Sequence, residues 1–204
     1  GAVYGATGKS MVTVTPEAEF DDSYEEMSLN EQLELFSSKN NVAIAAGKEH
    51  ALVLKDDGTV WAWGNCLHGA LGDVNKHSKS FYPVQVMLDD VVSVSAGYGF
   101  SIALTKDGSV YTWGANNYGQ LGGGSTNVLS LPTRVAIASG LGNVVGISAG
   151  ANNCLVVTDR GEVLGWGMNQ YGQLGIGSYT DALTPVSISE FKGIVEVSAG
   201  NNQS

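Results

Sequence analysis

Apolar and polar residues alternate in short runs along most of the chain. Val91-Val92-Ser93-Val94-Ser95 and Ser109-Val110-Tyr111-Thr112-Trp113 have a period of two, the spacing of half-buried strands and not of helices. Asp57-Gly58 and Asp107-Gly108 each join two such runs. Asp-Gly supplies the positive φ of a tight two-residue turn, so a β-hairpin is predicted at each. A further run carries proline, as in Tyr82-Pro83-Val84-Gln85-Val86 and Leu131-Pro132-Thr133-Arg134-Val135. A strand lacking an amide donor belongs at a sheet edge, which brings the unit to four strands.

The unit repeats. Ala45-Ala46-Gly47 returns as Ser95-Ala96-Gly97, Ser148-Ala149-Gly150 and Ser198-Ala199-Gly200, at steps of 50, 53 and 50 residues. Eleven residues after the first three closing glycines stand Gly58, Gly108 and Gly161, followed by Trp63-Gly64, Trp113-Gly114 and Trp166-Gly167. Gly69-Ala70-Leu71-Gly72, Gly119-Gln120-Leu121-Gly122 and Gly172-Gln173-Leu174-Gly175 keep the same offset. Four-stranded units at this period describe β-propeller blades; the WD-type blade is shorter, at ~40–45 residues, and kelch repeats are of similar length.

The run from Ser93 to Gly124, and nearly as fully that from Ile147 to Gly177, resembles the regulator of chromosome condensation repeat: V-x-V-S-A-G, then D-G-x-V-Y-x-W-G-x-N-x-x-G-Q-L-G, then P-x-x-V. The first repeat departs from it, with Cys66 and His68 where the others have Asn116 or Asn169 and Tyr118 or Tyr171. The expected fold is therefore all-β: propeller blades of four antiparallel strands, about four blade-equivalents, with a short helical and acidic insertion near the N-terminus. The expected divisions are a partial blade strand at 1–10, the insertion at 11–40, and repeats at 41–90, 91–143, 144–193 and, in part, 194–204.

The resemblance implies a seven-bladed ring, which at this period needs roughly 350 residues, against 204 here. Gly1-Ala2-Val3-Tyr4 aligns with Gly108-Ser109-Val110-Tyr111, and Gly193 to Gly200 supplies the start of a repeat. A piece of a longer propeller, a half-ring completed by self-association with a second chain, and a four-blade ring closed by its own termini all fit.

Charge is unevenly placed. Of a net −10, eight acidic residues fall between Met11 and Ser38 with no Lys or Arg among them. No basic stripe is visible, so direct nucleic-acid binding is not expected. No apolar run approaches the ~20 residues of a membrane span, and the first ten residues lack the order of a secretory signal. Ser28-Leu29-Asn30-Glu31 has the form of a capping box, and Leu29, Leu33 and Phe36 fall on one helical face, predicting a helix over about 29–37. That face either packs on the propeller or docks a partner.

Catalytic chemistry finds little support. Gly8-Lys9-Ser10 lacks the glycine a phosphate-binding loop needs at Val3. His50, His68 and His77 have no ligand spacing with Cys66 or Cys154, and a disulfide between those cysteines has no positive support. Neither a cofactor, a metal site nor a catalytic residue is expected. Trp63, Trp113 and Trp166 recur at one place per unit, as packing between blades requires.

The positions after each Ala-Gly turn differ between repeats while the framework stays fixed. In the resembled family such loops look out on one ring face and meet protein partners. Carried over by position, Lys48, Glu49, Tyr98, Phe100, Asn152, Asn153, Asn201 and Asn202 would line it, with Tyr98 and Phe100 as anchors. Ordinary turn residues are the competing reading. The ultraviolet-B photoreceptor's tryptophan-arginine motif is missing from these places. The expected function is a non-enzymatic protein-interaction module. Alternatives are guanine-nucleotide exchange on a small GTPase, as the family's founding member performs, and inhibition of a secreted hydrolase such as a β-lactamase. The partner's identity and the compartment are not encoded in these features.

Overall fold

The computed structural model describes residues 28–66, 68–73, 79–188 and 192–201. The strand expected at 1–10, most of the acidic insertion, His77 and Asn202 lie outside them. Three four-stranded antiparallel sheets follow one another along the chain. The first holds β1 (Asn41–Ala46), β2 (His50–Lys55), β3 (Val60–Asn65) and β4 (Lys79–Gln85), paired in that order. β5 (Val91–Ala96), β6 (Phe100–Thr105), β7 (Val110–Gly114) and β8 (Leu129–Arg134) form the second. The third holds β9 (Val144–Ala149), β10 (Asn153–Thr158), β11 (Val163–Gly167) and β12 (Ala182–Ser187).

Each sheet meanders outward. Its Ala-Gly strand lies against the Ala-Gly strand of the next sheet, and its proline-bearing strand forms the outer edge, as the missing donor demands. β6 and β10 are buried along their whole length, including their polar residues Ser101, Thr105, Asn153 and Thr158.

The Asp-Gly hairpins differ from the expected turn. The Gly58 amide donates to the Lys55 carbonyl, and the Lys55 amide to the Thr59 carbonyl. Among the described residues the non-glycine residue with positive φ is Asp90. Asp57 therefore keeps negative φ, and the loop has three residues closed by a left-handed glycine, Gly58 at φ 82°. Aspartate earns its place by accepting from Thr59, through Nα and Oγ1 in the first hairpin, and likewise from Ser109 for Asp107.

Blades meet at a recurring latch. The Trp113 indole Nε1 donates 2.8 Å to the Ala70 carbonyl in the Gly-x-Leu-Gly turn of the preceding blade, and Trp166 does the same to Gln120. The same two carbonyls also accept from the next blade's second strand, through Ser101 Oγ at 3.0 Å and the Cys154 thiol at 3.4 Å. Trp113 and Trp166 are fully buried. Trp63 departs from expectation: it is half-buried, because the described residues put no preceding Gly-x-Leu-Gly turn against it.

The helix α1 (Leu29–Ser37) forms as its capping box predicts, with Ser28 and Glu31 bonding each other's backbone amides. Phe36 sets its ring edge against Trp61 at 5.6 Å, beneath the Lys55 ammonium 3.6 Å from its centroid. Leu29, Leu33 and Leu35 stay largely exposed. No described helix is long and apolar enough to cross a membrane.

Replacing Trp166 by Phe keeps an aromatic ring but removes the indole N–H, leaving the buried Gln120 carbonyl with only a thiol. The expected loss is about 1–3 kcal/mol in urea unfolding followed by circular dichroism. Trp63→Phe should stay within about 0.5 kcal/mol of the parent.

Candidate interaction face

The loops after β1, β5 and β9 emerge together because antiparallel pairing brings them to one end of the sheets. Each is held by the same bonds. The Gly47, Gly97 and Gly150 amides donate to the carbonyls of His50, Phe100 and Asn153 at 2.8–2.9 Å. Neighbouring loops are then tied across the blades: Lys48 amide to Gly97 carbonyl, Tyr98 to Ala151, and Ala151 to Gly200. Glycine is required at this turn for closeness. A Cβ on Gly47, Gly97 or Gly150 would stand 2.4–2.5 Å from the carbonyl oxygen of the next blade's equivalent glycine.

The missing side chain also sets the direction of a neighbour. A Cβ on Gly97 would lie 2.1 Å from Phe100 Cε1, on Gly47 2.6 Å from His50 Cε1, and on Gly150 2.3 Å from Asn153 Oδ1. The residue three places on folds back into the space the glycine leaves. Phe100 and Asn153 are accordingly fully buried and offer no surface to a partner, which corrects their expected place on the face. Lys48, Glu49, Tyr98 and Asn201 are exposed and Asn152 is half-buried. The Lys48 ammonium lies 5.2 Å from the Tyr98 ring centroid, across the seam between the first two blades. Glu49 Oε2 accepts from Asn65 Nδ2 at 2.7 Å.

Sequence reasoning missed a second tier of this face. The amides of Asn65, Ala115 and Met168, just past each Trp-Gly pair, donate to the carbonyls of Glu49, Gly99 and Asn152. The segments carrying His68, Tyr118 and Tyr171 therefore leave the sheets beside the Ala-Gly loops. The His-Tyr-Tyr variation at one repeat position was the available signal. Asn116 and Asn169 are scaffold: each donates to two loop carbonyls and accepts from Leu121 or Leu174. Cys66 in that place accepts from the Leu71 amide and has no amide to donate to the loop carbonyls. Cys66 and Cys154 are free thiols, both buried, and burial raises both pKa values, which keeps them protonated.

The geometry defines a β-propeller assembled from sequence repeats, with a shared framework and divergent loops. The model for the regulator of chromosome condensation (RCC1) repeat matches residues 57–104, 107–157 and 160–204, and the chain belongs to that family. The first two matched repeats begin at an Asp-Gly hairpin and run on into the second strand of the next blade, and the third begins at the equivalent Arg160-Gly161 hairpin. The ultraviolet-B receptor UVR8 of Arabidopsis thaliana is 30% identical over 155 residues, covering 74% of this chain and 35% of the receptor. The guanine nucleotide exchange factor SRM1 of Saccharomyces cerevisiae is 32% identical over 141 residues, covering 69% and 19%. The structure of Kap60 bound to yeast RCC1 (Prp20) matches with a TM-score of 0.71 at 26% identity, over 81% of this chain and 41% of that one. The chain thus spans well under half the length of these relatives.

His50 gives the seam beneath this face a pH dependence. Ser101 Oγ donates to the Ala70 carbonyl, so it accepts from His50 Nε2 at 2.9 Å, and the ring is the neutral Nε2–H tautomer. Its Nδ1 is buried with no bonding partner, and burial lowers its pKa from 6.5 to about 4. The folded state favours neutral imidazole, whereas the unfolded state binds a proton below 6.5. Stability is therefore intact above pH 6.5 and falls between 6.5 and 4, by about 3 kcal/mol in total. Denaturation at pH 7, 5.5 and 4 should show this loss relative to His50→Phe, which copies Phe100 and removes the titration.

Proposed function

We propose that this chain is a non-enzymatic protein-interaction module whose Ala-Gly loop face binds a macromolecular partner. The observation that carries the reading is that one set of backbone bonds recurs under all three loops while the exposed side chains differ at each. A partner would meet a presentation surface already ordered, so little loop entropy is lost on binding. Tyr98, 42% exposed and braced by Lys48, is the anchor, since interface energy concentrates in large aromatic and cationic side chains. Asn152 and Asn201 have negative φ, so the backbone does not demand asparagine there, which favours a role for these side chains in recognition. The related yeast RCC1 is found with a bound protein, Kap60.

The test compares the parent with Tyr98→Ala and Lys48→Glu. Candidate partners are captured and identified by mass spectrometry, then produced and titrated calorimetrically. Each substitution should weaken binding at least tenfold with an unchanged unfolding midpoint. Partners that bind both variants with parental affinity would sink the reading.

Guanine-nucleotide exchange is the second reading, favoured by the similarity to SRM1. It would appear as accelerated release of labelled GDP from a small GTPase, and a GTPase that binds this chain without faster release would leave the interaction role alone.

A further inference from the structure

The one long step of the repeat has a location. Pro132 to Val144 is 12 residues, whereas Pro83 to Val91 is 8, so the link between the second and third blades carries four more residues. These open a cavity of about 400 Å³ on the end of the sheets opposite the Ala-Gly loops. Ile137, Ser139 and Gly140 of the long link line it, together with the β6–β7 and β10–β11 hairpins. A second cavity of about 410 Å³ shares Asp107, Gly108, Asn143, Val144 and Asp159 with the first. Together they form one groove along the seam.

The groove gathers three basic side chains beside two carboxylates, in an acidic chain. Arg134 and Arg160 line its first part and Lys106 its second, three of the ten basic residues in a chain of net charge −10. Arg160 breaks the repeat: it stands where Asp57 and Asp107 lock their hairpins onto Thr59 and Ser109, and Glu162 replaces that threonine or serine. The third hairpin has thus exchanged its aspartate lock for a longer one, in which Thr158 Oγ1 accepts from the Arg160 and Glu162 amides at 3.4 and 3.3 Å, and has placed a guanidinium at the groove.

The two carboxylates present are already engaged. Asp107 accepts from Thr105 Oγ1 and from Ser109 Nα and Oγ. Asp159 accepts from the Asn143 amide and side chain, both at 3.1 Å. Arg160 commits one donor, from Nη1 to the Gly140 carbonyl at 2.8 Å, which steadies the guanidinium and leaves the rest of its fork for a ligand. Planar forks of this kind match carboxylates two bonds at a time. A phosphate dianion would meet stronger repulsion from Asp107 and Asp159 than a carboxylate does.

We propose that this groove binds an extended acidic segment of a partner protein, with Arg134 and Arg160 holding its carboxylates. Two joined cavities give length for several residues, and the link's insertion gives depth. The site lies away from the Ala-Gly loop face and stands or falls independently of it.

The probe is a fluorescein-labelled Glu-Gly-Glu-Gly-Glu peptide, capped at both ends and titrated against the full chain by fluorescence anisotropy. The same peptide with Gln for Glu serves as control, and acetate and inorganic phosphate as competitors. Binding is expected for the Glu peptide and at least tenfold weaker for the Gln peptide, with acetate displacing it at lower concentration than phosphate. Arg134→Gln should weaken binding about tenfold, the scale of one charge-assisted pair. Arg160→Asp combined with Glu162→Thr should do the same while restoring the aspartate lock, so its melting temperature stays at or above the parent's. Tyr98→Ala should leave the affinity unchanged. No binding of the Glu peptide, equal binding of both peptides, parental affinity in the Arg160→Asp, Glu162→Thr variant, or preferential displacement by phosphate would overturn the proposal.

Discussion

Neighbouring blades can approach only where no side chain stands between their inner strands, and the rest of the structure depends on that constraint. The oxygen of one Ala-Gly glycine occupies the space a Cβ on its predecessor would need. Any other residue at Gly47, Gly97 or Gly150 would push two backbones apart. The outer half of the wedge would then lose register as well, because the indole of Trp113 or Trp166 reaches its carbonyl only at the observed separation. Inner approach and outer latch are two ends of one wedge angle.

The loop face and the hairpin groove use this framework differently. On the loop face the backbone bonds repeat and only side chains vary, so diversity costs the fold almost nothing. At the groove the framework itself has changed, by four added residues and by the exchange of a hairpin's aspartate for an arginine. Buried positions show a third pattern, in which His50, Phe100 and Asn153 fill equivalent spaces with different chemistry. Of these, the imidazole is coupled to the adjacent blade through Ser101.

Much of the architecture was legible in the sequence because it is written in backbone requirements. The period of two gave strands, prolines gave outer edges, and Ser28 with Glu31 gave the helix start. Side-chain direction was not legible at Phe100 and Asn153, since positions two residues after Tyr98 and one after Asn152 read as loop until the vacancy over the glycine is seen. The three-residue hairpins were hidden because Asp-Gly serves more than one turn type. Trp63 reads like its equivalents, and only the neighbouring turn distinguishes it. The groove required knowing that Lys106, Arg134 and Arg160 converge on one seam, which no local pattern states.

The matched repeats and the sheets are out of phase, the repeats at 57–104 and 107–157 each running from the third strand of one blade into the second strand of the next. The heritable unit is therefore a joint and not a petal. Duplicating or deleting such a unit adds or removes one complete seam, and the flanking halves meet a surface of the same design on either side. A chain built this way can change its number of blades without inventing a new contact. The same phasing denies any blade an autonomous existence, since each is stitched from two successive units, and melting of one should unzip its neighbours.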